Sequence, residues 1–245
     1  MQLTWKQILL IAGGTAAAGA CLYYLLREDG GEASEGDGEP KKINSGEATK
    51  EQVMTILKGI LKSQEKTKAL MKEFIKDMLN EDFTFEEAYE RVLQKHPEDP
   101  LEQYGLTMPD FDNLLDKYQH DPQIKDLIVR IMSSSAPSEP NPRGQTIDKA
   151  KVIQVHEYMK QELQKLVDHI QKSPSRSKLD VKNVTLTAQA YVGAKVQKKF
   201  GFTSEDVESA VIYNHKELAV DPDFVRVNIG IQTIMNQLIV PQFVM

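Results

Sequence analysis

The sequence predicts an all-α protein with a single N-terminal transmembrane helix, a flexible acidic tether and then a soluble region of helical hairpins or bundles. Three observations predict it. Residues 8–26 form an unbroken uncharged run, ILLIAGGTAAAGACLYYLL, held between Lys6 and Arg27. Beyond Ala48, apolar residues recur at helical spacing almost everywhere. No stretch sustains the period-two alternation of a half-buried strand.

A run of about 19 residues, rising 1.5 Å per residue, just crosses a hydrocarbon core of roughly 30 Å. Ala16–Ala18 offers a small-x-small signal cleavage site, and Ala18-Gly19-Ala20-Cys21 loosely resembles a lipoprotein processing box. In either case the apolar stretch should stop near the cut, whereas Cys21 to Leu26 carries it onward. An uncleaved anchor is therefore expected, with a cleaved signal or a buried soluble helix as the alternatives. Trp5 on one side and Tyr23 with Tyr24 on the other suit the headgroup layer. Lys6 before the run and Arg27, Glu28 and Asp29 after it leave orientation open. Gly13, Gly14, Ala17, Ala18 and Cys21 form a small-residue stripe, either ordinary anchor composition or a surface that lets a neighbouring helix approach closely.

The 30 basic and 36 acidic side chains give a formal charge of −6, which argues against nucleic acid, whose phosphates demand a basic face. Cys21 is the only cysteine, so neither an intrachain disulfide nor a cysteine metal site can form. Residues 28–50 are rich in Gly and acid and nearly devoid of large apolar side chains. Such a segment cannot offset the entropy of ordering and reads as a tether spanning roughly 25 Å on average.

The helices follow in order. Val53, Ile56, Leu57, Ile60 and Leu61, then Leu70, Met71, Phe74, Ile75, Met78 and Leu79, mark one long helix or two in series. Thr84-x-x-Glu87 is a capping box that opens a helix bearing Ala88, Val92 and Leu93. A helix from Thr107 places Phe111, Leu114, Leu115 and Tyr118 on one face. Asp121-Pro122 opens the next, since Asp caps and Pro is welcome at the first helical position; it carries Ile124, Leu127, Ile128, Ile131 and Met132.

Residues 133–145, SSSAPSEPNPRGQ, break the helical pattern and divide a subdomain of residues 51–132 from one of residues 146–245. A long helix starting at Thr146 carries Val152, Val155, Met159, Leu163, Leu166 and Ile170, and Ser173-Pro174 ends it. Asp180 caps a helix that runs to Phe200, with Gly201 as a left-handed C-cap. Thr203-x-x-Asp206 opens another. Asp221-Pro222 opens the last, with Phe224, Val227, Ile231, Ile234, Met235 and Leu238 inward.

The two halves echo each other, Phe83-Thr84-Phe85-Glu86-Glu87 against Phe202-Thr203-Ser204-Glu205-Asp206. Shared capping grammar accounts for this as well as duplication does. The Asp-Pro-x-apolar hairpins around Asp121-Pro122 and Asp221-Pro222 resemble, over about 30 residues in each half, helical modules of Hsp70-organising co-chaperones. The layout of small-residue anchor, charged tether and acidic helical domain resembles that of mitochondrial outer-membrane receptors and other signal-anchored mitochondrial proteins. No tetratricopeptide signature accompanies either likeness, and no activity is carried over.

The five histidines, at positions 96, 120, 156, 169 and 215, are scattered, with no pair at i, i+4. No phosphate-cradling or nucleophile-elbow motif occurs. The pairs Glu86-Glu87 and Glu205-Asp206 complement helix dipoles. Asp110, Asp112, Asp116 and Asp121 lack calcium-loop spacing, and Asn183-Val184-Thr185 is a formal glycosylation sequon within a predicted helix.

No cofactor, metal, catalytic residue or small-molecule substrate is expected. The expected partners are the lipid bilayer and protein subunits. The expected function is that of a non-catalytic accessory or assembly subunit of a larger membrane complex, mitochondrial rather than of the endoplasmic reticulum or another membrane. The alternative is an anchored receptor or co-chaperone-like module that holds client helices in an apolar groove. Phe111, Leu114, Tyr118, Ile231 and Met235 are the interface candidates.

Overall fold

The computed structural model describes residues 48–95, 97, 99–118, 120–134, 141–174 and 179–239. These residues are 83% helical with no strand among them, which bears out the all-α class. The expected anchor, with Gly13, Gly14, Ala17, Ala18 and Cys21, and most of the tether lie outside them. Of the residues expected in the tether only 48–50 are described, and there Ala48 is buried and Lys50 is helical.

The chain forms two compact units. The first takes the described residues up to Ala69 and those in Pro97–Ser138; the second takes the described residues in Leu70–His96 and Glu139–Met245. These units divide the chain differently from the expected 51–132 and 146–245, because residues 70–96 join the later part of the chain.

Helix α1, Lys50–Asn80, is a single helix, which settles the choice between one and two. It opens with a reciprocal box: the Thr49 amide donates to Gln52 Oε1 at 2.8 Å and the Gln52 amide to Thr49 Oγ1 at 3.3 Å. In the first unit its Val53, Ile56 and Leu57 pack with Leu101 of the short turn α3 (Pro100–Gln103) and with Leu106. The same core holds Leu114 and Leu115 of α4 (Met108–Tyr118) and Ile124 and Leu127 of α5 (Pro122–Ser134). Asp99 caps α3 by accepting from the Leu101 amide. Thr107 and Asp110 box α4, and Asp121 Oδ1 caps α5 by accepting from the Gln123 amide at 2.9 Å. The Tyr118 hydroxyl donates to the Ala48 carbonyl at 2.8 Å, fixing the chain just ahead of α1.

The second unit contains the rest of α1, with Phe74 and Met78 inward, and α2 (Phe85–Lys95). It continues through α6 (Pro142–Gln145), α7 (Lys149–Lys172), α8 (Val181–Phe200), α9 (Ser204–Tyr213), α10 (His215–Leu218) and α11 (Pro222–Ile239). Helix α8 is central, packing against α2, α7 and α11. Its Val184, Thr185, Leu186, Thr187, Ala188 and Ala190 are all buried, which is why it shows no single apolar face. Thr185 and Thr187 satisfy their hydroxyls on the carbonyls of Val181 and Asn183, at 2.8 and 2.7 Å, so neither costs an unpaired donor.

Two boundaries need correction. The long helix begins at Lys149, capped by Asp148 rather than at Thr146, and Thr146 is instead the C-cap of α6. The segment 133–145, expected to be wholly non-helical, gives Ser133 and Ser134 to α5 and residues 142–145 to α6. Asn141-Pro142 supplies the same cap-plus-proline start as Asp121-Pro122, with Asn141 Oδ1 accepting from the Arg143 amide at 3.0 Å.

Candidate functional site

Helix α2 starts where its capping box places it. The Thr84 amide donates to Glu87 Oε2 at 2.9 Å and the Glu87 amide to Thr84 Oγ1 at 3.3 Å. This start sets the helix phase, so that Ala88 and Val92 point into the core, Phe85 and Tyr89 form one flank, and Glu86, Glu90 and Leu93 face out. Along that flank runs a cleft of about 240 Å³, floored by Phe85, Tyr89, Ile170 and Leu179 and rimmed by Glu86, Glu90 and Leu93. Leu93 is 49% exposed.

Glu86 Oε1 accepts from His169 Nε2 at 2.8 Å, and the His169 ring lies edge-on to Phe85 at 6.5 Å. The hydrogen bond to His169 holds the Glu86 carboxyl below the usual carboxylate range. Glu86 and Glu90 are one helical turn apart, so their carboxylates share one side of α2. Burial pushes the Tyr89 hydroxyl up, and its oxygen accepts the Asp180 amide at 2.8 Å. An apolar floor with two carboxylates on its rim suits a basic, partly apolar side chain.

The other singled-out polar residues serve the fold. Asp110 and Asp121 cap helices, and Asp121 also pairs with Lys50 at 2.7 Å. Asp206 completes the box of α9 with Thr203, and its Oδ1 accepts from the Asn141 side-chain Nδ2 at 2.6 Å. His156 is 4% exposed, its Nδ1 on the Val152 carbonyl at 2.8 Å, and burial pushes its pKa down. Asn183 of the sequon is buried in the first turn of α8, out of reach of a glycosylating enzyme in the folded unit. Among the described residues no group of three or more His, Cys, Asp or Glu is placed to hold a metal ion. Nor is any helix among them long and apolar enough to cross a membrane.

The interface candidates take varied places. Leu114 is 1% exposed and Phe111 9%, both interior to the first unit. Tyr118 is half-buried against that core, and Ile231 and Met235 are half-buried against the core of the second unit. Their apolar faces are turned largely to their own units. No local pattern in the sequence marks the cleft, because its walls come from residues between Phe85 and Leu93 and from the distant Ile170, Ser173 and Leu179. No family model, curated protein or solved structure matches the chain.

Proposed function

We propose that this chain is a non-catalytic, single-pass accessory subunit of a larger membrane protein complex, mitochondrial in location, held by residues 8–26 and contacting its partners through its helical units. The observation that carries this reading is the size and lining of the cleft. At about 240 Å³ it lies below the roughly 300–1,000 Å³ of most small-molecule sites, and it accommodates one or two side chains of a protein partner. The uncharged run and the small-residue stripe at Gly13, Gly14, Ala17, Ala18 and Cys21 support a helix that lies in lipid beside others. Extraction of the full chain in mild detergent tests the proposal. Stoichiometric co-migration with other polypeptides in a large assembly supports it, and a free monomer contradicts it.

The acidic rim favours one second reading, an anchored receptor that takes basic amphipathic helices into the cleft. A detergent-purified monomer that captures such peptides, and loses them with Glu90→Lys, supports that reading over the first.

A further inference from the structure

The turn between α8 and α9 builds a second surface, with the opposite charge. Gly201 adopts a left-handed backbone, φ 71°, which reverses the chain and brings the Phe200 and Phe202 rings into a parallel stack, centroids 6.4 Å apart and planes 2° from parallel. Tyr158 of α7 meets Phe200 edge-on at 5.5 Å. Three cations from three elements surround this stack. Lys199 Nζ lies 3.8 Å from the Tyr158 ring centre, Lys151 Nζ 5.8 Å from Phe200, and Arg143 Cζ 5.8 Å from Phe202. Asp206 pairs with Arg143 at 3.7 Å while also engaged by Asn141 and Thr203, and Glu162 beside Tyr158 is paired with Lys165 at 2.7 Å. Lys151 Nζ donates to the neutral Gln154 Oε1 at 2.7 Å, so the charge offered to a partner comes chiefly from Lys151 and Lys199.

The geometry points to a docking surface for an acidic partner segment, one rich in Asp and Glu with an apolar residue among them. Charge complementarity selects the acids, and the rings give an apolar side chain a platform between the cations. Half-buried rings also argue against lipid, since Tyr158, Phe200 and Phe202 pack on the core of the unit and do not protrude for insertion. This surface is independent of the acidic cleft. Lys199 and Arg143 are exposed and Lys151 is half-buried, so the contact is screenable, with a Debye length of about 8 Å at physiological salt.

Full-length protein in neutral detergent, titrated with a fluorescent Glu-rich peptide carrying one Leu and one Phe, tests the assignment. Binding is expected to weaken with salt, to vanish when every Glu of the peptide becomes Gln, and to fall about tenfold with Lys151→Glu plus Lys199→Glu. The milder Lys199→Gln should weaken it less, and Lys216→Glu on α10 should leave it unchanged, each variant keeping the parent melting curve. Equal binding of the Gln peptide, or unchanged affinity in the double variant, overturns the assignment. So does binding to phosphatidylserine vesicles in place of the peptide. A rise in peptide affinity when the acids at positions 28–39 are neutralised overturns it too, naming the chain's own tether as the occupant.

Discussion

The Asp180 amide donates to the Tyr89 hydroxyl across 2.8 Å, tying the N-cap of α8 to the middle of α2. The bond spans 91 residues of sequence and closes one wall of the cleft. Tyr89→Phe keeps the ring and removes the acceptor, leaving an amide at a half-buried helix start without its partner. A loss of about 1–3 kcal/mol is expected in denaturant unfolding, with the helical content unchanged.

Gly144 and Gly59 should respond to alanine with opposite signs. A Cβ at Gly144 would lie 2.4 Å from Ser209 Cβ and 2.7 Å from the Asp206 carbonyl oxygen, so α6 must move off α9. Gly144→Ala should cost about 1–3 kcal/mol or more. At Gly59, inside α1, the nearest atom is Pro100 Cβ at 3.5 Å, an ordinary contact. Gly59→Ala should therefore stabilise by up to about 1 kcal/mol through helix propensity alone. Paired thermal melts check both.

Acidification should weaken the second unit in two steps. His156 is held neutral by burial, below its unfolded value of 6.5. A depressed pKa means the unfolded chain binds the proton first, so this contribution is whole above about pH 6.5 and declines as pH falls below it. Glu86, held below 4.5 chiefly by His169, contributes above that value and is lost only at lower pH, by a small amount because it is half-exposed. His156→Gln should flatten the stability profile between about pH 6.5 and 5, as read by urea midpoints across that range. An unchanged profile would contradict the role of burial.

Local signals were legible in the sequence and non-local pairings were not. Thr84 with Glu87, Thr203 with Asp206, and Asp121-Pro122 specify helix starts within four residues, and each acts as its pattern predicts. Asp99-Pro100 and Asn141-Pro142 carried the same signal but opened helices of only four residues, too short to show a periodic face. The placement of α2 was hidden because its partners, Asp180 to Tyr89 and His169 to Glu86, lie more than 80 residues away. Phe111 and Leu114 illustrate a further limit. An apolar helical face reads the same whether it covers its own core or a partner's.

That distinction is measurable. Leu114→Ala empties a fully buried site and should cost about 2–5 kcal/mol in the first unit. Leu93→Ala, at an exposed rim, should change stability by less than about 0.5 kcal/mol and instead weaken partner retention in pull-down from detergent.

Alkaline carbonate extraction of membranes carrying the full-length chain tests the anchor most directly, because it strips peripheral proteins and leaves those whose helices lie in hydrocarbon. The intact polypeptide, with its N-terminus preserved ahead of Ile8, is expected in the pellet. Release of that polypeptide into the supernatant, or a mature chain that begins beyond Cys21, would contradict a bilayer-held subunit.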